Sequence, residues 1–376
     1  MYTIILYAIL LIVIVYIISL LLFIIGNIIP KSNYKSKTLE PVSVIVAVKN
    51  GENSLPQLLG DLQKQNYQGI VEYIIVDDQS IDGTKKIIKK LEQKDKKFKY
   101  ATSINGDGKL FFKKRALDAG IKIAKYDILI FTDVDCRLKP SWVDSMAECF
   151  DNKIDYVIGF SGVPYYNHLV SWFQKVDFLM LLTAARAMCK LNFPFASTGQ
   201  NQAYRKKLYN KIGFIKLQNS IQGDDTLFLQ LCMKENINAI FNDDVKSFVK
   251  SRIETNLWHF IKQRIRWSGD AKIMWNYNKK FFITILSTFL VNLFIIILII
   301  DLLFLNANYI SYLYIILLTK LIGELILYLI GSGTFKSNFN LFMFLYWFIL
   351  EIPYVLLMGI GSFFVKYVGW KSEKNI

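Results

Sequence analysis

The sequence predicts an α/β domain with a mostly parallel sheet, flanked by one N-terminal and about three C-terminal transmembrane helices. Three observations predict it. Long apolar runs occupy both ends of the 376-residue chain, which is 53% hydrophobic. Strand and helix patterns alternate between these runs, which is typical of a parallel sheet. Acidic residues follow three of the predicted strands. A chain of this length can bury a core without disulfides or structural metals.

The first apolar run predicts a retained transmembrane helix over residues 1–30. This segment contains no charged residue, and about 20 apolar residues are enough to span the hydrocarbon. It is longer than the core of a signal peptide, and it lacks both a basic leader and a small-residue cleavage site.

The C-terminal region, residues 281–366, predicts about three further spans. The candidates are Phe281–Ile300, Tyr309–Ile330 and Leu341–Val365. The last one carries Glu351 and Pro353, so it can be kinked or re-entrant, and the number of crossings stays open. Intramembrane acids are candidates for function.

Lysines inside the predicted spans can form ion pairs, and lysines beside the spans indicate which side of the membrane each segment faces. Lys320 and Glu324 lie one helical turn apart and can pair, whereas Glu351 has no local partner. Lysines flank the middle domain on both sides, which predicts that this domain faces the cytoplasm from the cytoplasmic membrane. They are Lys31, Lys35, Lys37, Lys279 and Lys280. Three full C-terminal spans would place the basic tail outside, against the same rule; its lysines are Lys366, Lys371 and Lys374.

The net charge of +15 is explained by this membrane topology, so we expect no nucleic-acid partner. The four cysteines form no C-x-x-C pair and there are only two histidines. A structural zinc site is therefore not expected, and free thiols fit a reducing compartment.

The middle domain alternates strands and helices. The predicted elements are strand Val42–Val48, helix Pro56–Gln65, strand Glu72–Val76, helix Gly83–Gln93, strand Phe98–Thr102, helix Phe112–Ala124 and a strand from Ile128. Ligands of such sheets bind beyond the carboxyl ends of the strands. Three polar segments fall there: Asn50–Glu52, Asp77–Asp78 and Asp133–Asp135. A lone aspartate at such a position is more often a helix cap, but three together favour a site.

Asp133 and Asp135 raise a charge problem. If the strand stays extended, their side chains point the same way, so a positive group should lie between them. Mg²⁺ or Mn²⁺ together with a substrate diphosphate would supply it; two capping or solvated acids are the alternative. Lys109, Lys113 and Lys114 precede this strand. They can reach a phosphate or form a solvated basic face.

Five motifs in order resemble the GT-A glycosyltransferases of family 2, which have a Rossmann-like fold. They are Val44–Glu52, Ile75–Thr84, Phe131–Cys136, Ile221–Leu227 and the Q-x-x-R-W motif Gln263–Trp267. The resemblance covers about residues 41–274 and implies a catalytic domain at 41–278. The Q-x-x-R-W motif is typical of the membrane-embedded members.

The resemblance also implies residue roles. Asp78 or Asp77 would meet the nucleotide base, and Asp133 and Asp135 would bind the metal and the sugar nucleotide. Asp225, with Asp224 beside it, would be the general base. The remaining candidates would bind donor or acceptor: Asn50, Glu52, Lys109, Lys114, Thr198, Asn201, Gln263, Arg266 and Trp267. Family members often have an Asn-Glu pair where this chain inserts Gly51.

The function implied is inverting, metal-dependent transfer from a nucleotide sugar, UDP being the first expectation. The acceptor would be a membrane lipid or a lipid-linked molecule, as in the members resembling ceramide glucosyltransferase. A processive synthase of a β-linked glycan is the alternative, and with only four spans it would need an oligomer or a partner subunit to build a channel. A non-catalytic nucleotide-sugar-binding protein and a transporter are two further alternatives. The intact acidic set argues against the former, and the few spans argue against the latter.

Overall fold

The computed structural model describes residues 2–30, 39–220, 222–304 and 309–365. The flanking lysines Lys31, Lys35 and Lys37, the tail lysines and Ile221 therefore lie outside the described residues. The chain divides into two compact units. One comprises the described parts of 30–164 and 189–253, and the other comprises those of 1–29, 165–188 and 254–376.

The first unit is built on a sheet that has seven strands in the described part of the chain, in the order β3-β2-β1-β4-β7-β5-β8. These strands are β1 (Val42–Val48), β2 (Val71–Asp77), β3 (Phe98–Thr102), β4 (Ile128–Phe131), β5 (Tyr156–Gly159), β7 (Gln202–Arg205) and β8 (Ala239–Asn242). Strand β7 runs antiparallel to both of its neighbours. A parallel pair, β6 (Ser161–Gly162) and β9 (Val249–Lys250), lies apart from this sheet.

Helices cover the sheet. The helices of this unit are α2 (Leu55–Gln63), α3 (Thr84–Lys94), α4 (Phe112–Ile123), α5 (Trp142–Ala147), α7 (Lys206–Ile212) and α8 (Thr226–Met233). Strand β2 is buried along its whole length and β1 almost so, as expected of parallel strands covered on both faces. Core residues include Val44, Ile75, Ile130 and Trp142. The predicted α/β architecture is confirmed, and β1 begins and ends at the predicted residues.

The second unit is helical and holds the apolar segments. Its helices are α1 (Tyr2–Ile28), α6 (Leu169–Lys190, whose last two residues belong to the sheet unit), α9 (Leu257–Ser268), α10 (Lys279–Phe304), α11 (Ile310–Thr334) and α12 (Leu341–Gly361). Among the described residues, four helices are long and apolar enough to cross a membrane: α1, α10, α11 and α12. Helix α12 continues through Pro353.

Small residues let the helices of this unit approach closely. A Cβ on Gly26 of α1 would lie 2.3 Å from the backbone oxygen of Ala187 in α6. A Cβ on Gly323 of α11 would lie 2.7 Å from Leu20 of α1. Glycine at helix contacts is the usual means of close packing inside a membrane.

Candidate active site

Three loops meet at one edge of the sheet. Strand β1 pairs in parallel with β2 on one side and with β4 on the other. The carboxyl ends of all three strands therefore lie together, and the polar segments that follow them share this edge. The topology brings together Asn50–Glu52, Asp77–Asp78 and Asp133–Asp135, as the sequence predicted.

The loops after β1 and β2 are tied to each other. Asn50 Oδ1 accepts a hydrogen bond from the backbone nitrogen of Ile81 at 3.0 Å, and Glu52 Oε2 accepts one from Gly83 at 3.0 Å. The backbone nitrogen of Glu52 donates to Asp82 at 3.0 Å. Asn50 and Glu52 thus fix the shape of this edge through these bonds.

Gly51 has a steric reason to stand between Asn50 and Glu52. A Cβ at this position would lie 2.3 Å from Cγ2 of Val48, which is a buried strand residue. Its backbone nitrogen donates to the Thr84 hydroxyl at 2.8 Å. The inserted glycine therefore lets the loop pass close over the end of β1 and reach α3.

Asp77 and Asp78 differ in exposure. Asp77 is buried, and its carboxylate accepts a hydrogen bond from the backbone nitrogen of Ser80 at 3.0 Å. Asp78 is half-buried, and its backbone nitrogen donates to the carbonyl oxygen of Val48 at 2.7 Å. Asp78 is the one whose carboxylate is more open to a ligand.

The extended geometry expected for Asp133 and Asp135 does not persist. Strand β4 ends at Phe131, and the backbone nitrogen of Cys136 donates to the Asp133 carbonyl at 3.1 Å. The two acids therefore lie in a turn, both half-buried. Side chains alternate between faces only inside a strand, so the condition under which Asp133 and Asp135 would point the same way is not met.

A positive group contacts Asp133: it is Lys113, on the first turn of α4. Its Nζ lies 2.7 Å from Asp133 Oδ1 and 3.0 Å from Asp224 Oδ2. Burial by itself would lower the pKa of Lys113, but the Asp133 and Asp224 carboxylates raise this pKa well above its ordinary value. Lys113 is thus a charged bridge between the turn that holds Asp133 and Asp135 and the segment that precedes α8.

The other two lysines lie elsewhere. Lys114 is 1% exposed, and its Nζ donates to the backbone oxygen of Gln222 at 2.8 Å and to that of Ser220. This lysine fastens the loop before α8, which corrects its predicted contact with a phosphate. Lys109 is exposed. Neighbouring helical positions point in directions about 100° apart, so Lys113, and not Lys114, contacts Asp133.

Asp225 caps helix α8. Its Oδ1 accepts from the backbone nitrogen of Thr226 at 2.5 Å, and its Oδ2 accepts from that of Gly199 at 3.0 Å. Burial, reinforced by the neighbouring Asp224 carboxylate, raises the pKa of Asp225 to about 6, while Lys113 and the two backbone donors act in the opposite direction. A carboxylate with a raised pKa accepts protons more readily than an ordinary one, which suits a general base.

Gly199 lies at the centre of these polar groups, and the sequence did not single it out. A Cβ there would be 2.7 Å from Lys113 Nζ, 3.1 Å from Asp224 Oδ2 and 3.6 Å from Asp225 Oδ2. A larger residue at position 199 would collide with Lys113, so only glycine leaves room for the three charged side chains. Contacts of this kind cannot be read from a sequence.

Thr198 and Asn201 flank this glycine but differ in role. Asn201 is fully buried, and its amide donates to the backbone oxygens of Phe160 and Ser247 at 2.8 and 2.9 Å. Its Oδ1 accepts from the indole of Trp142 at 3.0 Å. These contacts make Asn201 a core residue, which corrects its predicted part in binding. Thr198 is 9% exposed, and its carbonyl oxygen accepts from the backbone nitrogen of Asn201 at 3.0 Å.

Replacing Gly199 with alanine should reduce transfer by roughly tenfold or more, since displacements of about 1 Å at a reacting centre can cost up to about 10²-fold. The new methyl group would push Lys113 away from Asp224. Steady-state kinetics with a thermal unfolding curve would check this. Gly213→Ala is the control, a glycine with positive φ in another loop; it should lower stability and leave kcat unchanged.

The Q-x-x-R-W motif lies on α9, in the helical unit. The guanidinium of Arg264, the residue after Gln263, lies 4.3 Å from the centroid of the Trp267 ring and is paired with Asp177 at 3.2 Å. One face of Trp267 is therefore covered by Arg264. Arg266 is half-buried, with the Glu254 carboxylate in electrostatic range.

The acidic edge of the sheet suits a divalent cation. Within the described residues no group of three or more acidic, histidine or cysteine side chains could hold a metal by itself. Two carboxylates are nevertheless what Mg²⁺ or Mn²⁺ typically takes from protein when substrate phosphates complete its shell. A cation, the Lys113 ammonium, already contacts Asp133. Asp133 and Asp135 therefore fit such an ion.

Comparison with known proteins agrees with this geometry. Residues 43–213 match the family model of glycosyl transferase family 2, which is a little under half of the chain. The matched region runs from the second residue of β1 to the residue after α7. It includes Asp133, Asp135 and Lys113 but ends before Asp224 and Asp225.

Curated relatives resemble part of the chain. An undecaprenyl-phosphate 4-deoxy-4-formamido-L-arabinose transferase of Aeromonas hydrophila is 31% identical over 140 residues, 36% of this chain and 40% of the relative. A 4,4'-diaponeurosporenoate glycosyltransferase of Staphylococcus haemolyticus is 33% identical over 105 residues, 28% of this chain and 26% of the relative. The matches thus span less than half of either relative.

A solved structure shares the fold over nearly the whole chain. It is the mannosyltransferase PcManGT of Pyrobaculum calidifontis in complex with GDP-mannose and Mn²⁺. The TM-score is 0.60 at 14% identity, and the likeness covers 95% of this chain and 98% of that one. The mostly parallel sheet with four apolar helices is therefore a GT-A-like fold seen before in a glycosyltransferase.

Proposed function

We propose that this protein transfers a sugar from a nucleotide sugar to a membrane lipid or lipid-linked acceptor, with inversion at the anomeric carbon. The observation that carries the proposal is the position of Asp225. This carboxylate, whose pKa is raised to about 6, accepts a hydrogen bond from the backbone nitrogen of Gly199 and lies in electrostatic range of Lys113. Gly199 and Lys113 both fall within residues 43–213, which match a glycosyltransferase family model.

The proposed chemistry is a single displacement. Asp225 takes the proton of the acceptor hydroxyl, whose oxygen bonds to the anomeric carbon as the bond to the nucleoside diphosphate breaks. One base acting on the face opposite the leaving group inverts the configuration. A Mg²⁺ or Mn²⁺ ion on Asp133 and Asp135 would stabilise the negative charge of the leaving diphosphate.

Other residues would hold the donor and the acceptor. Asp78, at the end of β2, would receive the nucleotide base, with UDP as the first candidate. Lys113 would add positive charge near the diphosphate, where preorganised donors matter most. The roles proposed for Gln263, Arg266 and Trp267, toward diphosphate and acceptor sugar, rest on their motif.

A lipid acceptor is favoured by the four apolar helices and by the names of two relatives. One name contains undecaprenyl phosphate and the other contains 4,4'-diaponeurosporenoate. The basic residues beside the spans support a catalytic domain on the cytoplasmic face of the membrane.

The proposal is tested by nucleotide release. Purified protein in lipid nanodiscs would receive UDP- and GDP-sugars, with or without a lipid extract. Nucleoside diphosphate would be measured in Mn²⁺, in Mg²⁺ and in a chelator. We expect release with one donor, dependent on both the cation and the lipid. No release under any condition would contradict the proposal.

Replacing Asp135 with asparagine should weaken metal-dependent donor binding by roughly tenfold, because a charged contact contributes about 1.5–3 kcal/mol. Calorimetric titration of the nucleoside diphosphate, with and without Mn²⁺, would measure it. Asp151→Asn, in the loop after α5, is the control and should bind as the wild type does. Unchanged metal-dependent affinity in Asp135→Asn would count against a metal role.

A further inference from the structure

A buried cluster of polar side chains lies inside the bundle of apolar helices. It joins α1, α10, α11 and α12, and every member is at most 5% exposed. Its members are Tyr16, Asn292, Lys320, Glu324 and Glu351. The glycosyltransfer chemistry proposed above uses none of them.

The lysine is shared by the two acids. Lys320 Nζ lies 2.5 Å from Glu324 Oε1, which confirms the pairing within α11 that the sequence predicted, and 2.7 Å from Glu351 Oε2 on α12. Glu351, which had no local partner in the sequence, is thus paired across helices. Tyr16 OH donates to Glu324 Oε1 at 2.8 Å, and Asn292 Nδ2 donates to Glu351 Oε1 at 3.3 Å.

Two buried acceptors remain. Among the residues that the structure describes, Glu324 Oε2 and Asn292 Oδ1 have no hydrogen-bond partner. Glu324 is 5% exposed and Asn292 is fully buried. An unsatisfied buried acceptor is costly, and more so in hydrocarbon, where water cannot replace the missing donor.

The charges do not balance either. With both acids ionised, two negative charges face one positive charge. Asp177 on α6 interacts electrostatically with Glu351 and is itself paired with Arg264 on α9. That second pair is neutral as a whole. A full excess negative charge would therefore remain in the bundle, and an uncompensated charge there is strongly disfavoured.

We propose that this cluster is a one-proton binding site, with the proton on Glu324. Protonation removes the excess charge and turns Oε2 from an orphan acceptor into a donor. Glu324 Oε1 keeps its bonds to Tyr16 and Lys320. The Lys320–Glu351 pair then stays ionised inside an otherwise neutral cluster.

Infrared difference spectroscopy of the full chain in nanodiscs tests this directly. The wild type should show the carbonyl stretch of a protonated carboxylic acid at neutral pH. Glu324→Gln should remove this band. Glu351→Gln should also remove it, because one carboxylate then faces one lysine and Glu324 can stay ionised. Asp301→Asn, near the end of α10, is the control and should keep the band.

Lys320→Met supplies the opposite test, since two carboxylates without a cation should strengthen the band. If this variant does not fold, the two glutamine variants still decide. Absence of the band in the wild type would overturn the proposal, as would a band that survives both glutamine substitutions. A melting temperature that rises with sodium, in protein without the band, would assign the site to a metal cation instead.

Discussion

Replacing Asp225 with asparagine is expected to lower kcat by about 10²–10⁴-fold, the usual contribution of a general base, and to leave donor binding intact. Asparagine keeps one oxygen for the backbone nitrogen of Thr226, so it can still cap α8, and it loses the bond from Gly199. It cannot accept the acceptor's proton. Nucleoside diphosphate release and calorimetric donor binding, measured on the same preparation, would separate the two effects.

The same substitution should stabilise the protein near neutral pH. Because the pKa of Asp225 in the folded state is raised to about 6, its stabilising contribution is complete below its unfolded pKa and is lost as pH rises through 6. Above pH 6 the wild type holds an ionised carboxylate beside Asp224, and asparagine removes that charge. Asp225→Asn should therefore melt at a higher temperature than the wild type.

The control for Asp225→Asn is Asp244→Asn, because Asp244 also caps a helical turn, through the backbone nitrogen of Lys246. This control should leave both kcat and donor binding unchanged. Loss of donor binding in a folded Asp225→Asn variant would contradict the assignment of Asp225 as the base.

Replacing Lys113 with methionine is expected to lower kcat/KM by about 10²-fold or more, a typical loss for one preorganised electrostatic group. Methionine fills a similar volume but carries no charge. Asp133 and Asp224 would then lose the ammonium that lies 2.7 and 3.0 Å from them. Donor binding should weaken as well, since positive charge is removed where we place the diphosphate.

The pH profile distinguishes this effect from misfolding. In the wild type kcat/KM should rise with pH and level off above about 6, as Asp225 loses its proton. Lys113 lowers the pKa of Asp225, so its removal should move this acidic limb to higher pH. Lys122→Met, on the same helix but paired with Asp118 instead of with Asp133 and Asp224, should leave the limb in place. If the acidic limb of the kcat/KM profile stays at the same pH in Lys113→Met, Lys113 does not act electrostatically on Asp225.

Much of the sheet unit could be predicted because its signals are local. A β-branched run gives β1, and alternating strands and helices give the parallel sheet. Their carboxyl ends then bring distant acids to one edge. The four apolar helices follow from length and composition alone. Helix α6 was missed, since no apolar run of membrane length marks it and its partners come from distant parts of the chain.

The site could be predicted only in part, because tertiary contacts determine which of the candidate side chains reach it. Lys113 and Lys114 are adjacent and chemically alike, and the direction each takes from α4 determines which one reaches Asp133. Asn201 sits in a promising motif, yet Trp142 and Ser247 hold it in the core. Gly199 and Arg264 matter because they pack closely against other residues of their own units. The spacing of motifs along the sequence does not reveal such packing.

The most direct test of glycosyl transfer to a lipid is the mass of the lipid product. Wild-type protein in nanodiscs would be incubated with the active donor, a divalent cation and the lipid extract, with Asp225→Asn as the blank. We predict one lipid species that gains a single sugar mass in the wild type alone. A ladder of repeated sugar masses, or no gain over the blank, would contradict transfer of one sugar to a lipid.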